Sequence, residues 1–510
     1  MSEPAVTPDL KTQGVASAAR AEEGAAADKT SRTLIMTAAV ICMFMAAIEG
    51  TVVATAMPTI VGQLGDFHLF SWVFSIYLLS QSVTVPLAGR FADLFGRKPL
   101  IYLGLVLFLG GSAACGLAPS MVTLIAFRVV QGIGAGCVTP VTQTLISDLY
   151  PPAARARIQG YLSSIWTVAA VGGPLLGAEL VTHLSWRWIF WVNVPIGIAA
   201  FVLLSVALRE PHQHRAHKID YLGSLLVTTG IGTLMLALNQ ATALGTPLFI
   251  GLVALALILL AALYFHERVV AEPVLPLQVW RHPIVLAGAV ASFTVGAINI
   301  ATAAFLPPYI QGVMGRDPIV AGYVVAAPLI IWAFGSTVGG RLMLRTSYRF
   351  TTRIGSAIII SGTLMLIALT PERGPAWAAI GTSLIGLGMG FFQNTFFVAS
   401  QSSVGREQRG SATASSLFAR ILGQSLGSAL FGGIVNLGLA DTIGADAVDQ
   451  IMDPALRSHL PADSIAPLMA AVAASLHNVF LGTGVLVLLG FAMTFVLPRG
   501  LSPHHAAVDK

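Results

Sequence analysis

The sequence predicts an all-α integral membrane protein of fourteen spanning helices, built as two six-helix bundles with an extra helix pair inserted between them. Three observations carry this reading. Only 10% of the 510 residues are charged and 55% are hydrophobic, whereas soluble domains carry roughly 25% charged residues. So few charges cannot cover a water-facing surface, and most of the exterior must meet lipid. Apolar runs then recur from residue 33 onward, each near the roughly 20 residues that cross a hydrocarbon core about 30 Å thick. Finally, the two parts of the chain repeat one another. Gly89-Arg90 with Lys98 matches Gly340-Arg341 with Arg349 at an offset of 251. Gly132, Gly134 and Gly136 match Gly386, Gly388 and Gly390 at 254, and Gly160, Gly173 and Gly177 match Gly410, Gly423 and Gly427 at 250. Three patterns at nearly one offset, in one order, are hard to reach by chance.

The expected spans are about 34–58, 70–90, 99–118, 121–147, 157–182, 186–208, 220–239, 246–265, 285–310, 319–343, 353–370, 376–401, 411–438 and 475–497. The third and fourth meet in a tight hairpin between Ala118 and Met121. Asp220 is placed to cap the seventh, because its carboxylate can accept from the open N–H groups of a helix start. The organisation that follows is a disordered cytoplasmic tail over 1–32, a first bundle over 33–208, and an inserted pair with linkers over 209–284. A second bundle over 285–498 includes an outer loop at 439–474, and 499–510 form a second cytoplasmic tail. The first 32 residues lack the apolar stretch of a cleavable signal peptide. The 51 glycines and 27 prolines fit membrane helices, where small residues allow close approach and neighbouring groups absorb kinks. Cys42, Cys115 and Cys137 all lie in apolar runs, so no disulfide framework is expected.

Charge sets the orientation. With the N-terminus in the cytoplasm, Arg187, Arg316, Arg373 and Arg457 lie outside, and Arg128 and Arg420 lie within helices. The other 22 of the 28 Lys and Arg residues then lie inside, as the positive-inside bias requires. The net charge of +5 therefore reflects the inner face and calls for no nucleic-acid partner. The acids Asp441, Asp446, Asp449, Asp453 and Asp463 fall on the outer loop.

Several stretches carry a resemblance. Residues 89–98, Gly-Arg-Phe-Ala-Asp-Leu-Phe-Gly-Arg-Lys, fall between the second and third spans and resemble the loop signature of the major facilitator superfamily. Residues 124–136, Leu-Ile-Ala-Phe-Arg-Val-Val-Gln-Gly-Ile-Gly-Ala-Gly, resemble its fourth-helix motif with a buried arginine. Residues 171–177, Val-Gly-Gly-Pro-Leu-Leu-Gly, resemble its fifth-helix antiporter motif. Residues 48–60, Ile-Glu-Gly-Thr-Val-Val-Ala-Thr-Ala-Met-Pro-Thr-Ile, and 186–197, Trp-Arg-Trp-Ile-Phe-Trp-Val-Asn-Val-Pro-Ile-Gly, resemble the fourteen-helix drug:proton antiporters, often called the DHA2 family. The resemblance covers nearly all of 33–498. One departure is Glu49, where many relatives have Asp.

That resemblance implies the major facilitator fold and roles for particular residues. Gly89, Asp93, Gly96, Arg97 and Lys98 would form a conformational latch. The second copy keeps Gly340, Arg341 and Arg349 but has Leu344 and Ser347 in place of Asp93 and Gly96, so the latch should depend on the first half. Gly172, Gly173, Pro174 and Gly177 would form the antiporter hinge, since proline removes a backbone donor and glycine allows close contact. The implied activity is proton-coupled export of lipophilic or cationic compounds, with the cell membrane as its location. It would be driven by a proton gradient and use no cofactor.

The charged residues inside the spans point the same way, because such groups are costly and mark ion pathways. Glu49 lies nine residues before Pro58, and Arg128 seven after Met121. At about 1.5 Å per residue the two lie at similar depth, so a contact is allowed. Glu49 is the candidate proton-coupling group and Arg128 its partner; a purely structural ion pair is the alternative. Asp148 and Glu179 are the next candidate proton sites. Asn299, Trp332, Gln393 and Asn394 are candidates for a substrate pocket, or equally for interhelical hydrogen bonding and packing. Arg420 is a further pocket candidate, with three roles open to it: stabilising the second bundle, binding an anionic substrate group, or pairing with Asp148 or another acid. His212, His214 and His217 have no Cys or acid beside them, so no metal site is expected.

No phosphate loop of the GxxxxGK[ST] type is present, and no nucleophile–base constellation appears, so neither an ATP-driven pump nor an enzyme is expected. The partners expected are a small-molecule substrate, protons and the bilayer. An exporter of one native metabolite or lipid is the alternative on the same scaffold, and a non-transporting receptor or scaffold is the alternative of another class.

Overall fold

A computed structural model describes residues 10–149, 168–169, 171–208, 220–270, 277–405, 408–440 and 462–498. All regular structure in these residues is helical. Among the described residues, thirteen helices are long and apolar enough to cross a membrane. In chain order the helices are α1 Leu10–Leu64, α2 Phe70–Phe95, α3 Arg97–Gly116 and α4 Met121–Leu149. A helical stretch at 171–183 is α5, and Trp188–Ala207 is α6. Then follow α7 Tyr221–Asn239, α8 Ala241–Glu267, α9 Pro283–Pro308, α10 Pro318–Arg345, α11 Tyr348–Ile367, α12 Gly374–Ser402, α13 Arg409–Ala440 and α14 Ala462–Met493. Residues 157–167 and 170 of the fifth expected span, 157–182, lie outside the described residues, as do residues 441–461 of the outer loop, His212, His214 and His217. The side chains of Asp93 and Asp148 also lie outside them.

Three boundaries differ from the sequence expectation. Residues 10–32, expected to be disordered, continue α1 as helix. The segment is alanine-rich and proline-free, with only Gly14 and Gly24 against it, and alanine is the strongest helix former. At its other end α1 runs through Pro58 to Leu64, because one missing backbone donor is tolerated among packed membrane helices. It stops at Gly65 and Asp66, whose φ angles are 73° and 59°. Residues 462–474, expected to be loop, are the first turns of α14.

The repeated glycines do the same work in each half. A Cβ on Gly132 of α4 would lie 2.5 Å from the Tyr77 carbonyl of α2, and one on Gly386 of α12 would lie 2.1 Å from the Pro328 carbonyl of α10. Backbone therefore meets backbone at matching places. The repeated cations also share a role. Lys98 Nζ donates to the Leu208 carbonyl at 2.7 Å, just past α6. Arg349 Nε donates to the Thr494 carbonyl at 3.3 Å and Nη2 to the Phe495 carbonyl, just past α14. Each cation thus caps the C-terminal end of the last helix in its half, where open carbonyls and the helix dipole favour positive charge.

The halves meet at the end of the bundle that the charge bias places outside. Ser425 Oγ donates to the Ser75 carbonyl at 3.1 Å and Ser428 Oγ to the Ser71 carbonyl at 3.1 Å. Gln311 Nε2 donates to the Thr55 carbonyl at 3.1 Å, and Asn436 Nδ2 to the His68 carbonyl at 3.0 Å. Phe70 packs edge-on against Phe305 at 5.5 Å, and Phe305 against Phe431 at 6.2 Å. Among the described residues no hydrogen bond or ring contact joins α1–α6 to α9–α14 at the opposite end.

The helix pair α7–α8 packs against both α2 and α13. Val227, Ile231 and Met235 of α7 form an apolar cluster with Leu79 of α2 and Ala429 of α13. At the end of α7, Asn239 accepts from Ser71 Oγ at 3.0 Å through its side chain and from Asn436 Nδ2 at 3.3 Å through its backbone. One residue of the inserted pair therefore touches both halves.

Candidate functional site: a buried carboxylate–guanidinium network

Glu49 and Arg128 meet. Glu49 is 0% and Arg128 1% exposed, and Arg128 Nη1 donates to Glu49 Oε1 in an ion pair. Helix α1 brings the carboxylate and α4 the guanidinium to one depth, as the residue counting predicts. The other contacts complete the pair. Arg128 Nη1 also donates to Gln131 Oε1 at 2.9 Å, and Nε to the Val73 carbonyl of α2 at 3.1 Å. The guanidinium carbon lies 4.1 Å from the centroid of the Tyr77 ring, a cation–π contact. Asn193 Nδ2 of α6 donates to Glu49 Oε2 at 2.7 Å and to Ser112 Oγ of α3 at 3.1 Å. Gln131 Nε2 donates to Ser112 Oγ at 3.2 Å, and Ser112 Oγ donates to the Phe190 carbonyl at 2.8 Å.

Five helices thus contribute to one network, and both carboxylate oxygens are bonded. Two buried polar atoms beside it, Asn193 Oδ1 and Tyr77 Oη, have no hydrogen-bond partner among the described residues. Tyr77, Ser112, Gln131 and Asn193 are not among the residues that sequence reasoning selects. Gln131 stands three residues after Arg128 and so shares its helix face. Asn193 lies in the 186–197 stretch. Those were the available signals; Ser112 and Tyr77 had none.

The other candidate sites divide. In α5, a Cβ on Gly173 would lie 2.0 Å from Thr51 Oγ1, and one on Gly177 would lie 2.6 Å from the Val52 carbonyl. The hinge motif therefore packs on α1, one turn from Glu49. Pro174 lies on the other flank, its carbonyl 3.0 Å from where a Cβ on Gly322 of α10 would be. Gly172 has open space. In the 89–98 loop, Gly96 takes φ 91° and separates α2 from α3, a conformation suited to glycine, while Gly89 meets nothing within 4 Å. Glu179 is 56% exposed and lies 3.2 Å from His183 one turn on.

In the second half, the polar candidates gather beside α9. Ser292, Gly296 and Asn299 lie on one face at i, i+4 and i+7. Gln393 Nε2 donates to Ser292 Oγ at 3.1 Å, and Gln424 Nε2 to Asn299 Oδ1 at 3.2 Å. Between them, a Cβ on Gly296 would lie 2.1 Å from the Arg420 carbonyl, so α13 rests on α9 there. Asn394 Nδ2 is engaged apart from this group, with the Ser336 carbonyl at 3.2 Å. Trp332 of α10 is partly buried against the main apolar core.

An all-helical body with a repeated two-bundle plan and an enclosed charge network has the architecture of a multi-pass membrane transporter. The Major Facilitator Superfamily profile matches residues 39–428, and the chain belongs to that family. It is 31% identical over 475 residues to multidrug resistance protein 3 of Bacillus subtilis (strain 168), covering 89% of this chain and 93% of that one. To the multidrug transporter protein MdtP of the same organism it is 30% identical over 511 residues, covering 93% and 94%. Its fold is similar to the crystal structure of a bacterial homolog of the human lysosomal transporter Spinster in an inward-facing, unoccupied conformation. The TM-score is 0.65 at 18% identity, covering 91% of this chain and 96% of that one.

Proposed function

We propose that this chain is a proton-coupled antiporter of the fourteen-helix drug:proton type, exporting lipophilic or cationic compounds across the cell membrane with both termini in the cytoplasm. The observation that carries the reading is the enclosed Glu49–Arg128 pair and its connection to α2. Arg128 holds the Val73 carbonyl, and the carbonyls of Ser71 and Ser75 on either side accept the hydrogen bonds that join the halves. A proton on Glu49 cancels its charge and leaves Arg128 with neutral acceptors alone. An uncompensated guanidinium is disfavoured in a low-dielectric interior, so protonation favours a rearrangement of Arg128 and of the helix it holds. With the N-terminus inside, the closed end faces outward, which corresponds to an inward-facing state.

The same geometry refines how load and proton are linked. Glu49 is enclosed within the first bundle, so a compound between the halves does not meet its carboxylate in this conformation. Load and proton are then linked through α2, not by contact with one shared charge. An exporter of one native metabolite or lipid is the second reading, and the unpartnered Arg420 described below favours it, because a fixed charge selects among substrates.

The test is efflux from proteoliposomes across an imposed pH gradient. Glu49→Gln keeps the size and much of the hydrogen bonding, and should abolish uphill efflux while sparing downhill exchange. Glu49→Asp should keep part of the activity. Wild-type pumping by Glu49→Gln, with unchanged pH dependence, moves the proton site to Asp148 or Glu179.

A further inference from the structure

Arg420 is the other arginine within the spans, and its surroundings are the opposite of those of Arg128. It lies in α13, half-buried, and its Nε is buried without a hydrogen-bond partner. Among the described residues it makes no hydrogen bond, ion pair or ring contact. Its own half offers no acid at this depth. Between residues 283 and 440 the only acids are Asp317, Glu372 and Glu407. Asp317 and Glu372 stand at the far ends of α10 and α12, where the halves close, and Glu407 lies just before α13 begins.

The neighbours are amides rather than counter-charges. Gln424 stands one turn along α13, bonded to Asn299. Gln393 uses its Nε2 on Ser292, and its buried Oε1 has no partner. Glutamine and asparagine offer both donors and acceptors, and so can follow a ligand's polar atoms without fixing its charge. The guanidinium fixes the charge. Intramembrane cations are ordinarily neutralised by an acid or a carbonyl, and Arg128 shows this chain doing so fully. Arg420 has neither, and it is not sealed away.

We propose that Arg420 receives the acidic headgroup of the transported compound, so that the preferred load is an amphipathic organic anion, a carboxylate, sulfonate or phosphate on an apolar body. The inference rests on the chain being a transporter; it sharpens the second reading, an exporter of one native metabolite or lipid, in place of cationic compounds, and it does not depend on proton coupling. A guanidinium binds such groups with two parallel hydrogen bonds, Gln393 and Gln424 complete the polar end, and the apolar body lies along α9 and α13.

The test uses purified full-length protein in nanodiscs and two fluorescent probes with one tail. One is 11-(dansylamino)undecanoate; the other carries a trimethylammonium in place of the carboxylate. Wild type should bind the carboxylate, and Arg420→Gln should weaken it by about tenfold or more, the range expected for loss of a charge-assisted bond. Arg420→Lys should retain most of the affinity, and the ammonium probe should bind Arg420→Gln as well as or better than wild type. Equal loss of both probes indicates a packing role for Arg420 and overturns the proposal. Carboxylate binding within twofold of wild type in Arg420→Gln, or no carboxylate binding by wild type, overturns it too. Because binding is read without a pH gradient, these outcomes are independent of the fate of Glu49→Gln.

Discussion

The two bundles share a backbone plan but not a charge plan. Gly177 packs on Val52 and Thr55 of α1, and its counterpart Gly427 packs on Ala297 and Ile300 of α9. The partners differ by 245 in both cases, so the counterpart of Glu49 is Thr294. Where the first half encloses a carboxylate, the second has a hydroxyl that bonds its own helix at the Val290 carbonyl, 3.0 Å away. Thr294 lines a small cavity of about 10 Å³ with Ser356, Phe392 and Gly490. Arg128, matched through the α4–α12 offset, corresponds to Thr382, which also bonds within its own helix. The two halves thus share the glycine contacts that set helix spacing, while the carboxylate–guanidinium pair belongs to the first alone and the second holds Arg420 without an acid. Both halves form the fold, but among the described residues only the first encloses an acid within its spans.

The largest effect expected from breaking this asymmetry is in the network itself. Arg128→Met leaves Glu49 buried without its counter-charge and should cost about 3–5 kcal/mol, read by thermal unfolding in detergent. Adding Glu49→Gln should recover much of that loss, as no charge then remains. Thr382→Val, at the matched place in the other half, should cost under about 1.5 kcal/mol. If Arg128→Met and Thr382→Val are equally mild, the halves do not differ as described.

A smaller effect separates close approach from sequence pattern. Gly423→Ala would press a methyl within 2.1 Å of the Phe293 carbonyl, and overpacking of this kind costs about 1–3 kcal/mol. Gly172→Ala has nothing within 4 Å and should stabilise by up to about 1 kcal/mol through helix propensity. Unfolding midpoints of the two variants should therefore move in opposite directions.

The smallest effect sharpens what the halves share. Lys98→Met and Arg349→Met should each cost about 0.3–1 kcal/mol, the worth of a cation at a helix C-terminus. Asp93 has no acidic counterpart in the second copy, so Asp93→Asn should impair transport where Leu344→Ala does not. Comparable transport loss in both, at equal expression, would show that the two loops act alike.

Much of this was legible in the sequence. Hydropathy located the spans, because backbone in lipid has few options. Counting residues from helix ends placed Glu49 level with Arg128, because rise per residue is nearly constant. Helix rotation and tilt cannot be counted in that way. Hence Ser112, Tyr77 and Asn193, which reach the pair from three other helices, stayed hidden. The repeat predicted matching glycines, and it also paired Lys98 with Arg349. That both cations cap helix ends emerged only when the ends of α6 and α14 had positions. The segments 10–32 and 462–474 depart from the expectation because their alanine content favours helix despite Gly14, Gly24 and Pro467.

The placement of α7–α8 gives the molecule a front and a back within the plane of the bilayer. Two halves standing side by side meet along two vertical lines. One runs between α2 and α13, and α7 lies across it, held by Asn239 at one end and by apolar contacts below. The other runs where α10 approaches Pro174 and Ala178 of α5, and among the described residues no further helix lies over it. By covering the first line, α7 makes the two flanks unequal. A compound already dissolved in the membrane therefore meets two unlike flanks.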